Sequence, residues 1–148
     1  MAIKYLEELT IDGIHASYLE KAYTVEELVG SYLERIQKID RDDNGPKLNA
    51  LAALNKNAID QAKEIDAAFA KDDKFVGPLH GIPIIIKDHV MTKGLTTTFG
   101  SVVAKDFIPE QDATVVTRLK EAGAIILAKA SLPGETYLYK ASCTRRIS

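Results

Sequence analysis

From Thr24 onward, apolar residues recur at steps of three and four: Val25, Leu28, Val29, Tyr32, Leu33, Ile36 and Ile39. That spacing marks one face of a helix. Thr24 and Glu27 fit the S/T-x-x-E capping box, in which each side chain satisfies a backbone N–H at the helix start. "RDDNGP" supplies the turn residues that end it. "NAIDQAKEIDAAFAKDD" predicts a second helix with a narrower stripe of Ala58, Ala62, Ile65 and Phe69, and "GIHASYLEKA" a shorter helix upstream. Helical packing accounts for all three stripes.

After Gly77 the period changes. "GIPIIIK" reads as a strand buried on both faces, with Pro83 near its start, where a missing N–H is tolerated. "DHVMTKGLTTTFGSVVAKDFIPEQ" is a long connection rich in Gly and Thr. Asp112 then caps a helix carrying Val115, Val116, Leu119 and Ala122, which Gly123 closes, and "AIILAKA" is a second buried strand. Strand, helical crossover and strand make a βαβ unit of a parallel sheet, so the fold class is α/β: N-terminal helices, then βαβ. Two parallel strands cannot cover both faces of a sheet, and "PGETYLYKASCTRRIS" offers no further strand pair. The pattern predicts an incomplete piece of a larger fold, marginally stable alone and prone to self-association through open sheet edges.

Composition narrows the class. With 46% hydrophobic and 27% charged residues, the 148-residue chain suits one globular domain. A net charge of −2 gives no reason to expect nucleic acid or an anionic membrane surface as partner. A single cysteine, Cys143, excludes an internal disulfide framework, and no apolar run has signal-peptide or membrane-span length. These features predict a cytoplasmic protein.

The sharpest chemical candidate is Lys87, at the end of the isoleucine run. A buried lysine must pair with a carboxylate or lose its proton, and holding one neutral near pH 7 costs on the order of 4 kcal/mol. Such a lysine is a good general base. On composition alone the blander reading is favoured: Asp88 marks the strand's exit and Lys87 snorkels to the edge. His80 and His89 flank the strand without Cys, His or Glu partners at ligand spacing, so no metal is expected. "TKGLTTTFGS" lacks the G-x-x-x-x-G-K-[ST] pattern of a phosphate loop, and no cofactor is expected. Its glycines and threonines instead suit a backbone running close to Lys87. Cys143 with Glu135 and Lys87 would make a Cys–Glu–Lys set, but Cys143 lies five residues from the end in a polar stretch, and a bland free thiol is the better reading. Arg145 and Arg146 are too short a basic run to imply a partner.

"GPLHGIPIIIKDHVMTKGLTTTFGS", followed by "DATVVTRLKEAGAIILAKASL", resembles the opening of the amidase signature family. The matching patterns are G-P-L-x-G-I-P-x-x-x-K-D, T-x-G-x-x-T-T-x-G-S and D-A-x-x-V-x-x-L-x-x-A-G-A, in order. "TVEELVGSYLERIQKID" and "LNALAALNKNAIDQAKEID" resemble the family's N-terminal helices, and the likeness covers roughly residues 5 to 132. The resemblance implies carboxamide hydrolysis through an acyl-serine, by a Ser–Ser–Lys triad in which Lys87 is the base held in a dry site, with a small-molecule amide as substrate and no metal. It is equally compatible with a tRNA-dependent glutaminyl amidotransferase, whose A subunit shares the same triad.

The chain also departs from that pattern. Beyond Ser101 its serines are Ser131, Ser142 and Ser148, none in a glycine-rich turn able to form an oxyanion hole. Residues 1–132 therefore read as the N-terminal part of an amidase domain, and 133–148 as an atypical tail, out of frame or otherwise foreign. Alone, the chain is expected to be inactive; the alternative is a non-catalytic remnant or binding module.

Overall fold

The computed structural model describes residues 6–132. In chain order these form helix α1 (Ile11–Leu19), helix α2 (Val25–Ile36) extended by a π turn over Gln37–Arg41, strand β1 (Leu51–Leu54), helix α3 (Ala58–Asp72), strand β2 (Pro83–Lys87), a 3-10 turn (Val102–Ala104), helix α4 (Thr114–Glu121) and strand β3 (Ile125–Ala130). All four expected helices and both expected strands are present. The tail 133–148, with Glu135 and Cys143, lies outside the described residues.

The start of α2 shows local and tertiary chemistry meeting. The capping box forms: Thr24 N donates to Glu27 Oε2 at 3.0 Å and Glu27 N to Thr24 Oγ1 at 3.1 Å. The next two donors, Val25 N and Glu26 N, both reach the Asp66 carboxylate of α3 at 2.9 Å. One side chain of α3 thus supplies what the cap leaves open. Val25, Leu28 and Val29 are buried against Ala58 and Ala62 of α3, Ile14 and Tyr18 of α1, and Ile82, Ile125 and Leu127 below.

The sheet differs from the expectation in having a third strand, in the order β1-β3-β2. β2 and β3 run parallel, with Ile86 opposite Lys129 and Lys87 opposite Ala130. β1 pairs antiparallel with the other side of β3. Its sequence, "LAAL", contains helix formers and sits in the stretch read above as helical. Pairing overrides that propensity: Asn55 N donates to Leu127 O at 2.9 Å, and Asn55 Nδ2 to Ile126 O at 2.8 Å. A second, smaller core of Ile86, Leu95, Val116 and Ile126 joins the opposite sheet face to α4.

Two further expectations are corrected. β2 is not buried on both faces: among the described residues it is an edge strand, Ile85 is 49% exposed, and Lys87 is exposed as well. Asp112 does not cap α4, whose N-cap is Ala113 with no side-chain bond. The Asp112 carboxylate instead accepts from Lys93 N and from Lys120 Nζ, both at 2.7 Å, tying the long connection to the helix. Gly123 does close α4, with φ +93°.

His80 is fully buried in the turn before β2, stacked on Phe75 at 4.8 Å and near Phe69, Tyr18 and His15. Its Nδ1 accepts from Val76 N at 3.1 Å, so the neutral ring carries its proton on Nε2, which has no partner among the described residues. Desolvation holds its pKa below the ordinary 6.5; the His15 charge adds to this and Asp66 opposes it. The folded state therefore binds fewer protons than the unfolded chain, and His80 contributes stability that is present above about pH 6.5 and lost below it. We expect urea midpoints to fall as pH drops from 7 toward 5, with a slope from this group of at most about 1.4 kcal/mol per unit, and to fall less in His80→Gln. Equal falls in the two proteins would refute this assignment.

Candidate active site

The site grows from the C-terminal end of β2. The Lys87 side chain reaches along the edge, where Nζ donates to Ser131 O at 2.9 Å. The main chain keeps its ladder one residue further, with Asp88 N donating to Ala130 O at 3.0 Å. Lys87 is thus pinned at the exit of a parallel strand, the end at which open α/β sheets bind ligands. Its surroundings are not dry. The expectation of a buried base is not met by the described residues, because the outer side of β2 has no neighbour among them.

The dry chemistry lies one residue on. Asp88 is fully buried, and its carboxylate accepts from Thr98 N at 3.0 Å, Thr98 Oγ1 at 2.5 Å and Gly100 N at 3.3 Å. Lys129 is also fully buried, near the C-terminal end of the central strand β3, and its Nζ donates to Val90 O at 2.7 Å and to Thr97 Oγ1 at 2.8 Å. Desolvation lowers the pKa of Lys129, while the Asp88 charge counters part of that shift. Two buried charges of opposite sign thus hold one loop, each carrying the hydrogen bonds that make burial tolerable.

The Gly/Thr-rich segment is that loop. Thr92, Thr97 and Thr98 are buried with their hydroxyls turned inward, and the backbone takes positive φ at Gly94 and Gly100. Thr97 N donates to Phe107 O and Ala113 N to Met91 O, both at 2.9 Å. The segment packs on Asp88, the residue after Lys87, and on Lys129. Its polar residues serve Asp88 and Lys129 through side chains as well as backbone.

His80 and His89 do not meet as a metal pair: His80 is buried among aromatic rings and His89 is exposed. No cluster of three or more His, Cys, Asp or Glu able to hold a metal occurs among the described residues. None of their helices is long and apolar enough to cross a membrane. Sequence reading missed Lys129, although its signal matches that of Lys87: a lysine set within an apolar strand run, "AIILAKA".

Comparison with known proteins gives this arrangement its context. The family model described as Amidase matches residues 27–145. The A subunit of the glutamyl-tRNA(Gln) amidotransferase of Alkaliphilus metalliredigens is 38% identical over 128 residues, covering 86% of this chain and 25% of that protein. Its counterpart from Exiguobacterium sibiricum is 40% identical over 127 residues, with the same coverage. Among solved structures, the peptide amidase from Stenotrophomonas maltophilia superposes with a TM-score of 0.79 at 35% identity, covering 86% of this chain and 25% of that one. An amidase family protein from Bacillus anthracis gives 0.77 at 38% identity, covering 84% and 24%. The chain therefore spans about a quarter of the length of the relatives it matches. In sequence and in fold, this chain belongs to the amidase family.

Proposed function

We propose that this chain is the lysine-bearing portion of an amidase-type hydrolase, with Lys87 as its general base. The observation that carries the reading is the placement of Lys87 at the C-terminal end of a parallel strand, anchored through Ser131 O, within an amidase fold. In the complete reaction the Lys87 amine accepts a proton from a bridging serine, which takes one from the nucleophilic serine. That serine's oxygen bonds to the amide carbon, the C–N bond breaks as the nitrogen is protonated, and water then releases the acid from the acyl-serine. The covering that favours a neutral amine must come from chain outside the described residues, because Lys87 is open within them. The substrate class is a carboxamide.

The test is a chimera in which residues 6–132 replace the matching portion of the Stenotrophomonas maltophilia peptide amidase. Amidase activity is expected with Lys87 and is expected to drop about a thousandfold or more with Lys87→Ala. An active chimera indifferent to that change would overturn the assignment. The names of the relatives favour a second reading, in which the same base serves the A subunit of a glutamyl-tRNA(Gln) amidotransferase. Glutamine hydrolysis by the chimera, dependent on an added second protein of that enzyme, would distinguish it.

A further inference from the structure

We propose that Lys129 is a positioning residue for Lys87: its ammonium clamps Val90 and Thr97 and so fixes the direction in which the strand end presents Lys87. This rests on the reading of Lys87 as the base. Lys129 lies opposite Ile86 in the parallel pair, and Lys87 lies opposite Ala130. Lys129 follows the register shift in this pair, and its Nζ reaches Val90, which packs on the smaller core of Ile86, Leu95 and Val116.

A lysine within a strand core is costly unless it is bonded, and a leucine would fill the same space without that cost. Here two of its three donors hold oxygens seven residues apart, drawing both ends of the 90–97 segment onto β3. Asp88 is held by the next stretch of the same loop, at Thr98 and Gly100, and its own N–H closes the ladder beside Lys87. The chain of contact therefore runs from Lys129 through Thr97 and Thr98 to Asp88, and from Asp88 into the backbone of Lys87. Asp88 is the charged group that faces Lys129 and favours its ionised, clamping form.

The experiment uses the full chain and reads Lys87 chemically. Wild type, Lys129→Met and Thr97→Val are treated with the N-hydroxysuccinimide ester of acetic acid across pH 6.5 to 10, and acylation is quantified residue by residue. Lys105, exposed on the far part of the connection, serves as the internal reference. Loosening the clamp is expected to free the amine from Ser131 O and raise Lys87 acylation by about threefold or more relative to Lys105, with exchange of the 88–100 amides rising about tenfold. The wild-type profile is also expected to show a step where Lys129 loses its proton, and Lys129→Met to lack it. A merely structural Lys129 would move the exchange data and leave the Lys87 rate and profile unchanged, which would overturn the proposal. Should Lys129→Met not fold, Thr97→Val carries the test alone, because it keeps the lysine and removes one acceptor. Loss of the Lys87 role in the chimera would leave these rates untouched, so the two failures are separable.

Discussion

Asp88→Ala is expected to destabilise the chain by about 3–5 kcal/mol, the scale expected when a buried carboxylate that gathers several donors is removed. The change leaves the Lys129 ammonium buried without the nearby charge that favours it. It also leaves the Thr98 and Gly100 amides and the Thr98 hydroxyl without their acceptor. Unpaired buried donors cost about 1–3 kcal/mol each, so the range is not an upper limit for a loop that fails to relax. Urea denaturation of the full chain checks it. A companion double change, Asp88→Ala with Lys129→Met, should cost less than the sum of the single changes, because it removes both charges together. Additive losses would mean that the two groups do not share one network.

Gly81→Ala should lose about 2–5 kcal/mol, from backbone strain and overpacking together. Gly81 adopts φ +67°, and an added Cβ would lie 2.6 Å from Val25 Cγ2 and 3.1 Å from Tyr18 Cε2. Neither neighbour can withdraw easily. Val25 is buried at the capped start of α2, and the Tyr18 hydroxyl donates to Gly81 O at 3.0 Å. Gly81 N also donates to Gly123 O at 2.9 Å, so the turn is fixed from the other side. A lowered urea midpoint with an unchanged m-value is the expected signature; a midpoint equal to wild type would show that the turn can relax.

Most of the helical layer was legible because its signals are local. The Thr24/Glu27 box and the stripe from Val25 to Ile36 are completed within a few residues, and the structure uses them as written. β1 was not legible, because Leu51–Leu54 carries no alternation and becomes a strand only when β3 is alongside. The Asp112 cap failed for a related reason: a carboxylate at a helix start has several candidate donors, and Lys93 N and Lys120 Nζ are brought to it by the fold. For the proposed site, motif spacing pointed to Lys87 and the Thr-rich loop. It gave no information on depth. Burial depends on which strands lie alongside, so the sequence rule that a lysine closing an apolar run is dry fits Lys129, in the central strand, and fails for Lys87, on the edge.

The position of Lys87 on that edge also bears on solubility. An edge strand presents unpaired backbone groups to any similar strand, and Ile85 adds an apolar contact to the invitation. A lysine at the end of such a strand works as a gatekeeper, because joining two copies crowds or desolvates its ammonium. Among the described residues, the side chain proposed as a base is therefore also a charge that would oppose pairing of this edge with a second copy. Removing it strips the edge of that protection along with the amine, and an aggregating Lys87→Ala sample would report on the edge as much as on catalysis.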